Sequence, residues 1–493
     1  MKRNFCFNIA FLLCSAALTH CLADTVDLSE PMKRSLVYLE VSSSSYELSQ
    51  PWKQTPIAKK SGYGCAVGPY EVLTIAENIA NATFVQARRY GENAYIAATV
   101  KRVDYEYNLC LLQLDKDAMD TPLTPLSFEE SYPEGKQLTS YWLSSGNHLT
   151  TARSTLDRAE MSRSLVSFVN TLTFFATNVS RPFGDGQVCC YEKEPIGIAA
   201  WGTESDAGII PAETINRFLT HCKQKGYAGF AAAGFRTSAL LNPAMRKYLK
   251  VPGDIQHGVY VSVVYTIGTG SKELKQGDVI LSINAQRLNA YGRYEHPEYK
   301  RISFRHILLQ TPSGNKIPFE IVRDGKITTL DITAENIESD KMLIPYYSYG
   351  KQPEYMVVGG YIFQKLNRDY MGMYGSNMSG KAPPHLYHYQ KDLAFKPSAK
   401  REDIVILSYV LPAEINLGYQ QLSQLVVDSV NGAKITSMKH FAEMVNSAGD
   451  DETLKISFEM DTPVLIIPKE QLKAADTQIA QLYGITKMMH LDK

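Results

Sequence analysis

Two carboxylic acids and two thiols are the side chains of this sequence whose positions suggest chemistry. Glu77 stands at the first helical turn after an apolar β-hairpin pattern, and Asp185 lies in a glycine-rich turn. The carboxyl pair could act in general acid–base catalysis, and Cys189 or Cys190 could act as a nucleophile. A thiol needs a base or a positive field to lower its pKa, and only Lys193 stands beside this cysteine pair. The sequence therefore favours buried, structural cysteines, and it offers no metal ligands to support the carboxyl pair.

The elements that must position these groups follow an all-β pattern from about Ser35 to Cys222. Short β-rich runs separated by turn residues recur through this stretch, including GCAVG, EVLTIA, NLCLLQL and EPIGIAAWG. Regular short strands of this kind predict a sandwich or a barrel. The last segment, Ile209–Cys222, switches to helical spacing and predicts a helix that packs against the barrel.

One segment of this region resembles the catalytic-histidine segment of HtrA/Deg serine proteases. In LTIAENIANA, Glu77 occupies the position at which that family has its general base. A second segment, VDYEYNLCLLQLD, resembles the family's aspartate segment and places Asn108 at the carboxylate. Asparagine has the shape of aspartate without its charge, so it cannot stabilise an imidazolium in the same way. The closing helix is also similar to the one that ends HtrA/Deg protease domains.

The nucleophile position is changed as well. RPFGDGQV stands where the family has a glycine–serine–glycine–glycine turn, and counting back from IGIA places Gly184 at the serine. A shift of one residue would place Asp185 there instead, which is still not a serine. With all three triad positions substituted, the resemblance implies a trypsin-like double β-barrel without serine-protease activity.

The remainder of the sequence resembles two PDZ domains in tandem. The predicted fold is therefore mainly β, a trypsin-like double β-barrel followed by two PDZ-like α+β domains. The pattern divides the sequence into a signal peptide over 1–23, a protease-like domain over 24–225, a first PDZ domain over 226–338, a second PDZ-like domain over 339–475 and a tail over 476–493. Laying QLVVDSVNGAKI over DVILSINAQRL shows the internal repeat. A long insertion, Asn367–Glu402, interrupts the second copy and is predicted to be a mobile loop or an assembly contact.

The loops that begin the two PDZ-like domains are the predicted peptide-binding sites. A peptide that adds to a sheet edge needs N–H groups for its carboxylate and an apolar pocket for its last side chain. The resemblance assigns these roles to Ala233, Gly234 and Phe235, with His306 on the opposing helix, in the first domain, and to Gly360, Tyr361 and Ile362 in the second. The alternative is that these side chains only fill the domain cores.

The N-terminus and the composition bear on location and partners. Residues 1–23 combine a Lys2-Arg3 start with an apolar stretch and predict an exported protein, periplasmic in a Gram-negative host and otherwise secreted. Basic and acidic residues number 51 each, so the net charge is zero and nucleic acid is not an expected partner. No later segment has the length and apolarity of a membrane span. Neither a metal nor another cofactor is expected.

These observations predict an exported HtrA/Deg-like pseudoprotease. It would bind peptides or unfolded proteins, including their C-termini, through its PDZ domains, as an adaptor, scaffold or chaperone in protein quality control. Two alternatives remain open: an active serine-type endopeptidase with a rearranged site, and a structural oligomer subunit whose pockets are filled by its own residues. The resemblance also implies a homo-oligomer, either a trimer or a multiple of it.

Overall fold

The computed structural model describes residues 29–224, 226, 229–375, 377–449, 453–460 and 464–492. The predicted signal peptide, residues 1–23, lies outside the described residues. Within them, strands dominate and form two closed barrels followed by two larger sheets and a small hairpin. The predicted fold class, mainly β with a trypsin-like double barrel and PDZ architecture, is confirmed.

The first barrel holds the Glu77 turn. Its strands are β1 Leu36–Ser43, β2 Ala58–Gly68, β3 Glu71–Thr74, β4 Ala82–Arg89, β5 Ile96–Asp104 and β6 Leu109–Leu114. They close in the order β1-β2-β3-β6-β5-β4, with helix α1 (Ser29–Ser35) before β1 and the single turn α2 (Ala76–Ile79) after β3. Alternate side chains of β1 serve two cores, since Val37 and Leu39 fill this barrel and Tyr38 packs in the core that continues into the second barrel.

The second barrel carries the glycine-rich turn of Asp185. Its strands are β7 Gln137–Leu143, β8 Leu149–Ser162, β9 Thr171–Asn178, β10 Val188–Tyr191, β11 Glu194–Gly202 and β12 Asp206–Pro211, and they close in the order β10-β11-β12-β9-β8-β7. The closing helix α3 spans Ala212–Cys222. It begins three residues later than predicted, because Ile209 pairs with Phe174 of β9 and Pro211 takes the position before the first helical residue.

The first PDZ-like domain is built on one antiparallel sheet. Its elements are β13 Phe235–Ser238, α4 Pro243–Tyr248, β14 Val259–Val264, β15 Val279–Ile283, β16 Gln286–Arg287, β17 Arg293–His296, β18 Lys300–Ser303, α5 Arg305–Gln310, β19 Lys316–Arg323 and β20 Lys326–Thr333. The sheet order is β13-β14-β15-β19-β20, β16 pairs with β15, and β17 and β18 form a separate hairpin. Strand β13, which follows the predicted carboxylate loop, therefore lies at an edge of the described sheet.

The second PDZ-like domain repeats this plan around a larger sheet. Its strands are β21 Tyr355–Val358, β22 Tyr361–Lys365, β23 Val405–Val410, β24 Leu425–Val430, β25 Ala433–Lys434, β26 Thr453–Phe458, β27 Leu465–Pro468 and β28 Met489–His490. They pair in the order β27-β26-β24-β23-β22-β21-β28, with β25 on β24. Its helices are α6 Arg368–Gly372, α7 Met378–Lys381, α8 Pro384–His388, α9 Met438–Ser447 and α10 Lys469–Tyr483.

The insertion Asn367–Glu402 is helical rather than an open loop. It contains α6, α7, α8 and a π-helical turn at Tyr389–Leu393. Met371 and Leu386 are fully buried in a core cluster that also takes in Ile344 and side chains of the second barrel. This packing contradicts a mobile loop, because apolar burial fixes the segment against the rest of the protein. Its use as an assembly contact stays a prediction.

The residues predicted as a C-terminal tail belong to the second domain. Helix α10 runs through residue 476 to Tyr483 and stops at Gly484, whose left-handed backbone ends the helix. The chain then returns to the sheet, where Met489 pairs with Met356 of β21. The fold therefore continues into the stretch 476–493 that the sequence pattern sets apart.

Candidate functional site

The turn that carries Glu77 is joined directly to Asn108. The backbone N–H of Glu77 donates to Oδ1 of Asn108 at 2.9 Å, and the N–H of Ala76 donates to the Asn108 carbonyl at 3.1 Å. Asn108 is buried and has a left-handed backbone, with φ of 54°, at the start of β6. The two positions that the resemblance assigned to the base and the carboxylate are therefore brought together.

The glycine-rich turn of the second barrel reaches across to the same place. The carbonyl of Asp185 accepts the N–H of Tyr63 at 3.0 Å and the side-chain amide of Asn78 at 2.8 Å. A Cβ on Gly184 would lie 2.7 Å from the backbone nitrogen of Gly202 in β11. The side chain of a serine at position 184 would therefore clash with the β11 backbone. The charge that acts on Glu77 from this turn is that of Asp185.

Two carboxyl groups and a lysine set the electrostatics of this site. Burial raises the pKa of Glu77, the negative charge of Asp185 raises it further, and Lys60 offsets part of the rise. Burial also raises the pKa of Asp185. Nζ of Lys60 donates to the carbonyls of Glu77 at 2.9 Å and Ala80 at 3.2 Å, which holds the cation at the end of α2. The site therefore presents acids where hydrolysis by a serine would need a base.

One hydroxyl and two thiols of the barrels have structural roles. Oγ1 of Thr74 donates to the Tyr63 carbonyl at 2.7 Å and accepts the Asn78 amide at 3.0 Å. Burial raises the pKa of Cys65 and of Cys189 to about 12, so neither forms a thiolate near neutral pH. Across the described residues, histidine, cysteine and acidic side chains form no group of three that would hold a metal ion.

In the first PDZ-like domain, the predicted carboxylate loop is hydrogen-bonded to its own domain. The N–H of Gly234 donates to the Thr269 carbonyl at 2.8 Å, and the Gly234 carbonyl accepts the N–H of Tyr265 at 2.8 Å. A Cβ on Gly234 would lie 2.6 Å from the carbonyl oxygens of Ile267 and Gly268. This N–H is therefore not free for a peptide carboxylate, and the loop is packed rather than exposed.

The other residues assigned to the first groove divide between core and cavity. Phe235 is buried and stacks on Phe304, with ring centroids 5.6 Å apart. Ala233 is half-buried and lines a cavity of about 590 Å³ that opens beside the loop. The loop therefore borders an open space even though the N–H of Gly234 is taken.

His306 does not line the groove. Its side chain is fully buried, with Nδ1 2.6 Å from the Tyr294 hydroxyl and Nε2 3.1 Å from Oε1 of Glu213 on α3. It therefore joins the first PDZ-like domain to the barrel. Two neighbours on the same helix, Arg305 and Leu308, face the cavity in its place.

The equivalent loop of the second domain is filled by the protein itself. The N–H of Gly359 donates to Oδ1 of Asp476 on α10 at 2.7 Å, and the Gly359 carbonyl accepts the side-chain amide of Asn416 at 2.8 Å. Burial raises the pKa of Asp476 to about 6, although the hydrogen bond from Gly359 acts to lower it. Tyr361 and Ile362 are buried in the domain core. A carboxylate of the domain's own helix thus occupies the place predicted for a peptide carboxylate.

The protein is similar to known proteins over most of its sequence. A family model described as "PDZ domain" matches residues 344–492. Protease Do-like 2, chloroplastic, of Arabidopsis thaliana is 26% identical over 463 residues, covering 91% of this chain and 73% of the relative. Protease Do-like 4, mitochondrial, of the same plant is 23% identical over 449 residues, covering 90% of this chain and 82% of the relative.

The protein is HtrA/Deg-like and a homologue of serine proteases. Among solved structures, the HtrA-type protease AlgW with a decapeptide aligns at a TM-score of 0.48 and 16% identity, covering 64% of this chain and all of that one (100%). In the part of this HtrA/Deg protein that the structure describes, every helix is too short or too polar to cross a membrane.

The sequence motifs do not indicate the roles of three residues at these sites. Asp476 lies in the stretch taken for a tail, although Leu472 and Ile479 around it have the spacing of a packed helix face. Glu213 is recognisable as an acid in the first turn of the closing helix, but nothing in the sequence shows its partner. Arg305 stands next to the residue chosen for the groove, and its guanidinium is the better partner for a carboxylate.

Proposed function

We propose that this HtrA/Deg protein is a pseudoprotease that binds peptides or unfolded proteins through its first PDZ domain, as an adaptor, scaffold or chaperone in protein quality control. The observation that carries the proposal is the site of Glu77 and Asn108. An acid with a raised pKa stands where a base is needed, and its backbone is hydrogen-bonded to an uncharged amide. Serine hydrolysis needs a base, an orienting carboxylate and a nucleophile together.

The test is proteolysis by the purified protein. Incubation with an unfolded protein and with a serine-reactive fluorophosphonate probe, beside an active Deg protease, should give neither turnover nor labelling. The expected deficit is on the order of 10⁴ to 10⁶ in rate, as for a disabled triad. Cleavage that survives repurification, with one serine labelled by the probe, would instead support the active endopeptidase with a rearranged site.

Restoring the triad residues should not restore activity. Glu77→His alone lacks a nucleophile and an orienting acid. The triple variant Glu77→His, Asn108→Asp, Gly184→Ser should also stay inactive, because a Cβ at 184 would meet the Gly202 nitrogen at 2.7 Å. Turnover by the triple variant would mean that this loop adopts another conformation.

We propose a structural role, rather than peptide binding, for the second PDZ domain. The hydrogen bond from Gly359 to Asp476 gives its loop an internal occupant, which fits a structural module whose pocket is filled by its own residues. Peptide capture is accordingly assigned to the first domain alone. Binding of free C-terminal peptides to the second domain of the unaltered protein would contradict this division.

Export and assembly complete the proposal. Residues 1–23 are proposed to be removed during secretion, and mass spectrometry of the mature N-terminus tests this. The trimer or multiple of it rests on analogy with the family. Light scattering that gives a monomer at micromolar concentration would count against it.

A further inference from the structure

The cavity beside the first carboxylate loop is built from three parts of the protein. Arg163 and Phe168 come from the second barrel, Ala233 and Arg305 from the first PDZ domain, and Lys391 from the insertion of the second. Its volume of about 590 Å³ is in the range of ordinary ligand sites. The space is therefore a composite site rather than the groove of one domain.

Its charge is unbalanced. The cations that line it are Arg163, Arg236, Arg305, Arg368 and Lys391, and none of its lining residues is acidic. The whole protein carries equal numbers of basic and acidic residues, 51 of each. A cluster of one sign in a concave site raises the local concentration of ligands of the other sign.

Among the described residues none of these cations forms an ion pair within 4 Å, although the charge of Arg368 acts to lower the pKa of the neighbouring Asp369. The arginines that form ion pairs within 4 Å are Arg89, Arg158, Arg217, Arg301, Arg323 and Arg401, and none of them lines the cavity. Arg305 lies over the Phe304 ring at 5.1 Å, and burial lowers the pKa of Arg305. Nζ of Lys391 donates to the Tyr387 hydroxyl at 3.3 Å. A partly desolvated guanidinium without an ion-pair partner, as at Arg305, is costly, and an anionic ligand would offset that cost.

Aromatic side chains complete the walls. Phe168 packs against Phe395 with ring centroids 5.8 Å apart, and Phe395 stacks on Tyr265 at 4.8 Å. Tyr346 lies 5.4 Å from Phe168, and Leu308 adds an aliphatic surface. The site thus combines apolar walls with cations, which matches a ligand that carries both apolar groups and carboxylates.

We propose that this cavity binds a peptide segment that carries several carboxylate side chains between apolar residues. The proposal rests on the proposed peptide binding by the first PDZ domain and specifies its ligand. Because the N–H of Gly234 is paired with Thr269, the carboxylates are held by guanidinium groups, chiefly of Arg236 and Arg305. Acidic side chains, rather than a free C-terminus, therefore determine the affinity.

The experiment measures fluorescence anisotropy with the full-length mature protein. The probes are short labelled peptides of alternating glutamate and leucine, blocked at both ends, and the same peptides with glutamine for glutamate. The acidic probe should bind at least about tenfold more tightly, equal to ~1.4 kcal/mol. Raising the salt concentration should reduce the difference in affinity between the acidic and the glutamine probes.

Variants locate the binding. The double variant Arg236→Gln, Arg305→Gln should weaken binding of the acidic probe by about tenfold or more. Arg301 is an exposed arginine of the same domain that pairs with Glu295, and Arg301→Gln should leave this binding unchanged. Arg163 is exposed, so Arg163→Gln tests the cavity without disturbing the core, and it should weaken the probe in the same direction.

The outcomes separate this inference from the proposed function. Equal binding of the acidic and glutamine probes, unchanged in these variants, would overturn the cavity assignment and leave peptide binding in place. Binding of no peptide at all would overturn both. Displacement of the acidic probe by an equal concentration of inorganic phosphate would assign the cations to a phosphate group and overturn the peptide ligand.

Discussion

The two PDZ domains begin with similar glycine loops, and in both a loop N–H is paired within the protein, but the surroundings of the two loops differ. In the second domain, Asp476 of α10 already accepts the N–H of Gly359. In the first, the loop residue Ala233 borders a cavity lined by cations, none of which forms an ion pair within 4 Å among the described residues. The difference comes from what packs over each loop, a helix of the same domain in one case and an open space between domains in the other. A repeated sequence motif therefore lies in two different structural surroundings.

The elements beside the two loops are fixed by different contacts. His306 of the first domain is buried against Glu213 of the barrel, so the helix that borders the cavity is fixed from behind. Arg217 of the barrel adds a hydrogen bond to the Leu309 carbonyl at 3.1 Å. Helix α5, which borders the cavity, is thus attached to the barrel at two points. The second loop depends on its own C-terminal helix, and variants can test each arrangement.

The largest expected effect is at the closed loop. Gly360 has a φ of 83°, and a Cβ there would lie 2.5 Å from the Leu411 carbonyl oxygen. Gly360→Ala should therefore destabilise the second domain by roughly 3–4 kcal/mol, combining left-handed strain with overpacking. Hydrogen exchange resolved by domain measures this, since a protein of several domains does not unfold in two states.

The matched controls for Gly360→Ala are two other glycines. Gly432 has the same φ of 83° but nothing within 4 Å of its Cβ position, so Gly432→Ala should cost about 1–2 kcal/mol. Gly234 lacks a positive φ but is crowded, so Gly234→Ala should cost about 1–3 kcal/mol in the first domain only. If Gly360→Ala costs no more than Gly432→Ala, the closed loop is not rigid and the comparison fails.

A smaller effect should appear at the anchor of the open site. Burial acts to raise the pKa of Glu213, but hydrogen bonds from His306, Gln310 and Tyr299 outweigh it and lower that pKa to about 2. A carboxyl whose pKa is depressed on folding stabilises the fold above its unfolded pKa of ~4.3, and this stability is lost as pH falls toward ~2. Glu213→Gln should therefore cost about 2–3 kcal/mol at pH ~7 and almost nothing near pH ~2.

Another contact between the same two domains is the control for Glu213→Gln. Glu134 pairs with Lys300 at 2.7 Å, but the Glu134 side chain is 34% exposed, against 13% for Glu213. Glu134→Gln should cost less than about 1 kcal/mol, because exposed ion pairs are screened by water. Equal losses from the two variants, measured by domain-resolved hydrogen exchange, would show that Glu213 is no more than a surface contact.

The sequence predicts the architecture better than the sites, for physical reasons visible at particular residues. Strands such as β6 have apolar side chains that any pattern analysis detects, whereas β8, Leu149–Ser162, is largely polar and absent from the predicted runs. The substituted positions Glu77 and Asn108 could be found because their order along the sequence is that of the family. The hydrogen bond that joins them is seen only in the structure.

The occupants of the two loops could not be predicted, because each depends on contacts between distant segments. Asp476 meets Gly359 across 117 positions, and the cavity joins residues of three domains. The sequence predicts that His306 lines the groove because it lies on the helix opposite the loop, but the rotation of that helix about its axis decides which side chain faces outward. That rotation is set by packing on Glu213, which a single sequence does not show.

The smallest expected effect is the pH dependence that Asp476 gives to the stability of the second domain. Its pKa is raised to about 6 by burial, above the unfolded value of ~3.9, so folding favours the protonated form. The stability from this group is fully present below pH ~3.9 and is lost as pH rises through ~6. Between pH ~4 and ~7 the second domain should lose roughly 1–2 kcal/mol, less than the full shift implies because the side chain is only half-buried.

Asp476→Asn separates the charge of this side chain from its hydrogen bond. The amide oxygen can still accept the N–H of Gly359, but it carries no charge, so the pH dependence should disappear and the domain should be more stable than the unaltered one at pH ~7. Asp428→Asn, at an exposed pair with Lys434 in the same domain, should leave the pH dependence unchanged. Hydrogen exchange of the loop, corrected for its intrinsic pH dependence, gives the measurement. An Asp476→Asn profile that still follows the unaltered protein would show that this carboxylate does not close the second loop, and the contrast between the two domains would then need another cause.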